Sequence, residues 1–173
     1  MNFVRSDEVA AIRKRLDHPV IDGDGHLIEF LPLVRDFIAE EAGADVAERF
    51  DRVAQGSRLM RSVPTEQRRA AGVSRMAWWG LPSANTLDRA TALLPRLMYE
   101  RLDEMGVDVA LLYPTYGLTV PATPDDELRI AMARAFNRYV AEVYAPYRDR
   151  LVPVASIPMY TPEEAVAELN HAV

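Results

Sequence analysis

Apolar positions along this chain recur with two different spacings, and the changes from one to the other mark out its elements. Ser6 can cap a short helix from Asp7 to about Leu16, with acids in its first turn and Arg13, Lys14 and Arg15 near its end. Asp17-His18-Pro19 breaks it, and Val20-Ile21 begin a short strand. From Phe30 to Glu41, Leu33, Val34, Phe37 and Ile38 fall at helical spacing, and Gly43 stops the run. A weaker helical pattern covers Ala44 to Val53. Residues 54–86 are rich in Gly, Pro, Ser and Arg and read as an irregular excursion with one short helix near Glu66. Leu87 to Met105 is helical again, with Leu94, Leu97, Met98, Leu102 and Met105 as its stripe, a kink at Pro95 and a stop at Gly106.

Val107 to Pro114 is a nearly continuous apolar run, the pattern of a strand covered on both faces. Thr123-Pro124-Asp125-Asp126 then reads as a helix start, with Thr123 as cap. Leu128, Met132, Phe136, Tyr139 and Val143 give that helix one apolar face. Leu151 to Pro158 is a third strand, and Thr161-Pro162-Glu163-Glu164 opens a last helix. Strands alternating with helices predict an α/β fold with parallel strands. The expected organisation is a single domain over 1–173, about three βα units, with a helical and irregular insertion over 27–105 between the first and second strands. Right-handed crossovers put all three strand C-terminal ends on one side, where α/β folds bind ligands.

The candidate chemistry lies in "VIDGDGHLIE", residues 20–29, where the first strand ends. Gly23 and Gly25 allow a sharp turn and close approach to a ligand. Asp24 and His26 are two residues apart, so on an extended backbone they point the same way. An oxygen and a nitrogen donor suit Zn²⁺ or a similar divalent ion. Two rival motifs fail on position. A calcium loop starting at Asp22 would need Gly where Leu27 stands and Glu where Leu33 stands. A G-x-G-x-x-G phosphate loop would need its third Gly at Ile28. An Asp/Gly turn with a hydrogen-bonded histidine fits the spacing as well as a metal site does.

Composition narrows the classes. The 173 residues carry a net charge of −6 and 49% hydrophobic residues, enough for a core. No basic surface broader than Arg13-Lys14-Arg15 and Arg68-Arg69 is present, which argues against nucleic acid as a partner. Cysteine is absent, so disulfides and thiolate metal sites are excluded, and a reducing compartment fits. No apolar run is long enough to span a bilayer and the first residues have no signal-peptide pattern. The expectation is a cytoplasmic protein with no membrane partner.

Taken together, D-x-D-G-H with Glu29 three residues on, residues 85–118 ("NTLDRATALLPRLMYERLDEMGVDVALLYPTYGL") and residues 136–169 ("FNRYVAEVYAPYRDRLVPVASIPMYTPEEAVAEL") resemble the amidohydrolase-related family. This group contains metal-dependent (β/α)8 hydrolases and non-oxidative decarboxylases. Its commoner first-strand motif is H-x-H; here Asp24 stands at the first position and His26 at the second. The resemblance runs over most of the chain from Val20 onward. It implies a partial TIM barrel and a divalent metal, most often Zn²⁺ with Mn²⁺ as the alternative, held in part by Asp24 and His26. It also implies a hydrolase acting on a small organic molecule, or a decarboxylase cleaving a carbon–carbon bond. A complete barrel takes about 250 residues. The further His and the late Asp that the family uses are therefore expected beyond residue 173, in a longer, homo-oligomeric enzyme. A truncated, catalytically incomplete fragment is the contrasting expectation.

Around this motif, Glu29 and Asp22 are candidates to hydrogen-bond the metal's ligands and orient them; Glu29 could equally be the first residue of the next helix. Trp78, Trp79, Arg75 and Tyr116 are candidate substrate contacts. The tryptophans could wall an aromatic pocket or pack the excursion onto the barrel. Arg75 could bind a carboxylate or lie in solvent, and Tyr116 could line a pocket or cap the core. Tyr113 and Thr115 stand at the end of the second strand. His18 precedes the first strand and His171 lies on the last helix, so neither is placed to join the site. No general base is assigned.

Overall fold

The computed structural model describes residues 6–62, 64–70 and 86–173. Its elements are α1 (Asp7–Arg13), β1 (Ile21–Leu27), α2 (Leu31–Ala42), α3 (Ala44–Ser62), α4 (Thr65–Ala70), α5 (Thr86–Leu93) and α6 (Pro95–Met105), then β2 (Val109–Pro114), a 3-10 helix (Gly117–Ala122), α7 (Asp126–Tyr144), a 3-10 turn (Ala145–Tyr147), β3 (Leu151–Pro153) and α8 (Pro162–Ala172). Among the described residues, no helix is long and apolar enough to cross a membrane.

The fold is α/β, with one open sheet of three parallel strands in the order β1-β2-β3. Neighbouring strands in chain order, joined by crossovers of one hand, put their helices on one face. Burial along β2 shows this directly. Ala110, Leu112 and Pro114 are buried, while Val109, Leu111 and Tyr113 are half-buried. On the same side as these last three, Ile21 and Val152 stay exposed at 58% and 38%. The expectation of a strand covered on both faces is therefore corrected: among the described residues, helices cover one face only.

The core lies between that face and the helices. Leu27, Leu112 and Leu151 meet Val34, Phe37 and Ile38 of α2, Phe50 of α3, and Met132, Phe136 and Tyr139 of α7. Phe50 and Phe136 stack edge to face, 6.4 Å between centroids. Each large apolar side chain buried here stabilises the fold by roughly 1.5–3 kcal/mol.

Several boundaries agree with the sequence reading. Ser6 Oγ accepts from Val9 N at 3.2 Å, and Thr161 Oγ1 from Glu164 N at 3.1 Å. Gly43 and Gly106 end α2 and α6 with φ of 91° and 76°, backbone that favours glycine. Others are corrected. Thr123 is not the cap of α7, because its hydroxyl donates to Thr119 O in the preceding 3-10 helix. Asp125 caps instead, accepting from Leu128 N at 3.1 Å. Pro95 does not kink one long helix. It starts α6, and Leu94 before it is extended, as residues before proline prefer. α1 stops at Arg13, short of Leu16, and α3 runs past Val53 to Ser62, through part of the predicted excursion. β3 ends at Pro153, not Pro158. Ser156 pairs with a side chain instead of a strand: Asn137 Oδ1 accepts from Ser156 N at 2.7 Å and its Nδ2 donates to Ser156 O at 3.0 Å.

Candidate functional site

The opening motif is inside a strand, not after it. Asp22 pairs with Ala110 and Gly25 with Leu112, so Gly23 and Asp24 together stand opposite Leu111. This extra residue is a β-bulge, a feature that bends a strand and re-aims a side chain. Gly25 is required by packing. A Cβ there would lie 2.7 Å from Leu111 O and 3.1 Å from Leu112 Cδ2. At Gly23 a Cβ would meet nothing within 4 Å.

Gly25 sits on the side of β1 that faces the helices, and alternation puts its neighbours Asp24 and His26 on the open side. Asp24 is exposed and His26 half-buried. Asp22 Oδ1 accepts from Asp24 N at 3.1 Å, a local bend of the kind aspartate makes on its own. Asp22 thus shapes the bulge through the backbone. His26 pairs in register with Tyr113, their rings 6.1 Å apart and tilted by 41°. Its Nδ1 is 3.4 Å from Thr115 Oγ1.

Glu29 is not the start of the next helix, one of the two roles expected for it, because α2 begins at Leu31. Its side chain is buried, at 1% exposure. Oε2 accepts from Tyr116 N at 2.9 Å and Oε1 from Gly117 N at 2.8 Å. The carboxylate therefore caps the start of the 3-10 helix after β2 and ties the end of β1 to it. Burial pushes its carboxyl pKa from 4.5 up to about 7, against the lowering effect of those N–H donors. Next to it, Phe30 N donates to Tyr139 Oη at 3.2 Å. Burial also raises the Tyr139 and Tyr144 phenols above their ordinary value, and Glu29 adds to both shifts.

Tyr116 is half-buried and packs against the core. Trp78, Trp79 and Arg75 lie outside the described residues. His18 and His171 are both exposed. Gly117 was not singled out by sequence reasoning; a Cβ there would lie 2.6 Å from Ser156 Oγ and 2.8 Å from Pro114 Cβ, so the turn holding Glu29 has no room for a side chain. Two cavities of about 240 and 410 Å³ open on the helix layer, but no residue of 20–30 or 113–117 lines them, so they do not serve this site.

The arrangement thus offers one carboxylate and one imidazole on the open side of a bulged strand. Oxygen and nitrogen donors of these two kinds are ones that zinc accepts. Among the described residues, no group of three or more His, Cys, Asp or Glu that could hold an ion is gathered. Comparison with protein-family models matches none of them to this chain, and comparison with curated proteins gives no match.

Proposed function

We propose that this chain carries part of the metal site of an amidohydrolase-type enzyme, built as the first three βα units of a (β/α)8 barrel. The observation that carries the reading is the bulge at Gly23-Asp24, on the sheet face that no helix among the described residues covers. Sequential parallel strands with helices on a single face are what a barrel wall requires; a doubly wound sheet has helices on both. Asp24 and His26 are the residues that would hold the ion. A divalent metal there supplies Lewis acidity, which makes water a usable nucleophile at neutral pH or holds a substrate carboxylate. Hydrolysis of a small organic molecule is the leading reaction, with non-oxidative decarboxylation as the alternative. Asp22 shapes the bulge, and Glu29 holds the neighbouring turn.

A second reading is favoured by the Asp22–Asp24 contact. A bend of this type needs no ion, and the stretch would then be structural. Calorimetric titration with Zn²⁺ separates the two. The wild-type chain should bind weakly, since two ligands are too few for a tight site. Asp24→Asn and His26→Ala should each abolish the heat while leaving the circular dichroism spectrum unchanged. A wild-type chain that takes up no zinc, or binding that survives both substitutions, rejects the metal reading.

A further inference from the structure

We infer that α8 is a latch that leaves its seat on α7 as a unit, and that Asn137 carries its docked or undocked state to the turn gripping Glu29. The inference does not depend on what Asp24 and His26 bind.

α8 is seated by polar groups. Its one buried residue is Glu168, 2% exposed. Asn137 Nδ2 of α7 donates to Glu168 Oε1 at 2.7 Å, and Arg134 Nε stands 3.7 Å from Glu168 Oε2. One turn earlier, Arg129 donates to both oxygens of Glu164, at 2.8 and 3.1 Å. The large apolar side chains of the helix, Val166 and Leu169, face the other way and are 56% and 52% exposed. α8 therefore gains little from apolar burial, the main source of cohesion in a fold. Buried ion pairs do not replace it, because desolvation offsets most of their attraction. α7 is the opposite case, with Met132, Phe136, Tyr139 and Val140 all in the core. A helix with few buried apolar contacts opens before the body it rests on.

Asn137 is the node where this seat meets the sheet. The side chain that reaches Glu168 also holds Ser156, accepting from its N at 2.7 Å and donating to its O at 3.0 Å. Ser156 packs on Gly117, so closely that a Cβ there would lie 2.6 Å from Ser156 Oγ. Gly117 N donates to buried Glu29 at 2.8 Å. The path Glu168–Asn137–Ser156–Gly117–Glu29 is thus contiguous, and α8, seated or released, is the two-state element at its end. An amide has two N–H groups, and Asn137 engages both only while α8 is seated. Release leaves one of them without its acceptor. The amide then turns toward water, and Ser156 and the Gly117 turn lose the support it gave.

Native-state hydrogen exchange on the 173-residue chain tests both parts. In the wild type, the α8 amides from Val166 onward should exchange together, at least about tenfold faster than those of Met132, Phe136 and Tyr139 in α7. Glu164→Gln weakens the seat without touching Asn137. It should speed α8 by about a further tenfold, speed Ser156 and Gly117 with it, and leave Phe136 level. In an Asn137→Ala background, adding Glu164→Gln should still speed α8 but no longer move Gly117. A dispersed amide spectrum checks that the Asn137 variants are folded; if they are not, the response of Gly117 to Glu164→Gln alone decides. α8 amides as slow as those of α7 overturn the latch. A Gly117 amide that ignores Glu164→Gln, or responds equally with and without Asn137, overturns the relay.

Discussion

Glu29→Gln is expected to remove most of the pH dependence of stability that this chain shows between mildly acidic and neutral solution. The wild-type carboxyl is 1% exposed, and its pKa stands at about 7 against an ordinary 4.5. A folded-state value above the unfolded one means that the native state binds the extra proton between those limits. The contribution is fully present below 4.5 and is lost as pH rises through about 7. The displacement corresponds to about 3 kcal/mol of lost stability on going from acid to a pH well above neutral. Ionisation has a partial compensation, since two N–H groups at 2.8 and 2.9 Å prefer a charged acceptor. Glutamine cannot ionise, but it offers a single oxygen to two donors. Its amide NH₂ must face one of the N–H groups, which costs about 1–3 kcal/mol at every pH. The variant should therefore be less stable than wild type at pH about 5 and should gain on it as pH rises, by about 3 kcal/mol in all. Urea denaturation at a series of pH values measures this, and taking the difference from wild type cancels Glu168, whose pKa burial also raises. A difference that stays flat across the series would refute the burial argument for Glu29.

Two further outcomes concern the bulge and the helix layer. Gly25→Ala should destabilise by about 1–3 kcal/mol, because its Cβ would press on the Leu111 carbonyl, whereas Gly23→Ala should be neutral within about 0.5 kcal/mol; thermal denaturation of the pair compares them directly. Arg129→Met should cost about 3–5 kcal/mol in urea, since Arg129 bonds Glu164 at 2.8 and 3.1 Å with the two side chains only 3% and 9% exposed, and the substitution leaves Glu164 without that partner.

The sequence pattern located the elements better than it located their contacts. Ser6, Gly43, Gly106 and Thr161 act locally, and their chemistry is readable from four or five neighbouring residues. The bulge was not readable, because Gly23 and Gly25 carry no side chains whose alternation could betray an extra residue. Thr123 and Asp125 both suit a cap, and the choice was made by the 3-10 helix before them, which takes the threonine hydroxyl. Glu29 was a candidate from its place after His26. Its partners, though, come from the turn after β2, 87 and 88 residues along the chain, and no local rule supplies a contact at that range. The same holds for Thr115 and His26, 89 residues apart. Among the described residues one sheet face is covered where two were expected, which follows from strand order, and periodicity does not encode that order.

Diffraction from zinc-soaked crystals, with anomalous data collected at the zinc edge, tests the central claim most directly. The expected result is a single anomalous peak within about 2.0–2.2 Å of both a His26 ring nitrogen and an Asp24 carboxylate oxygen. A peak elsewhere, or Asp24 and His26 turned to opposite sides of β1, would contradict it.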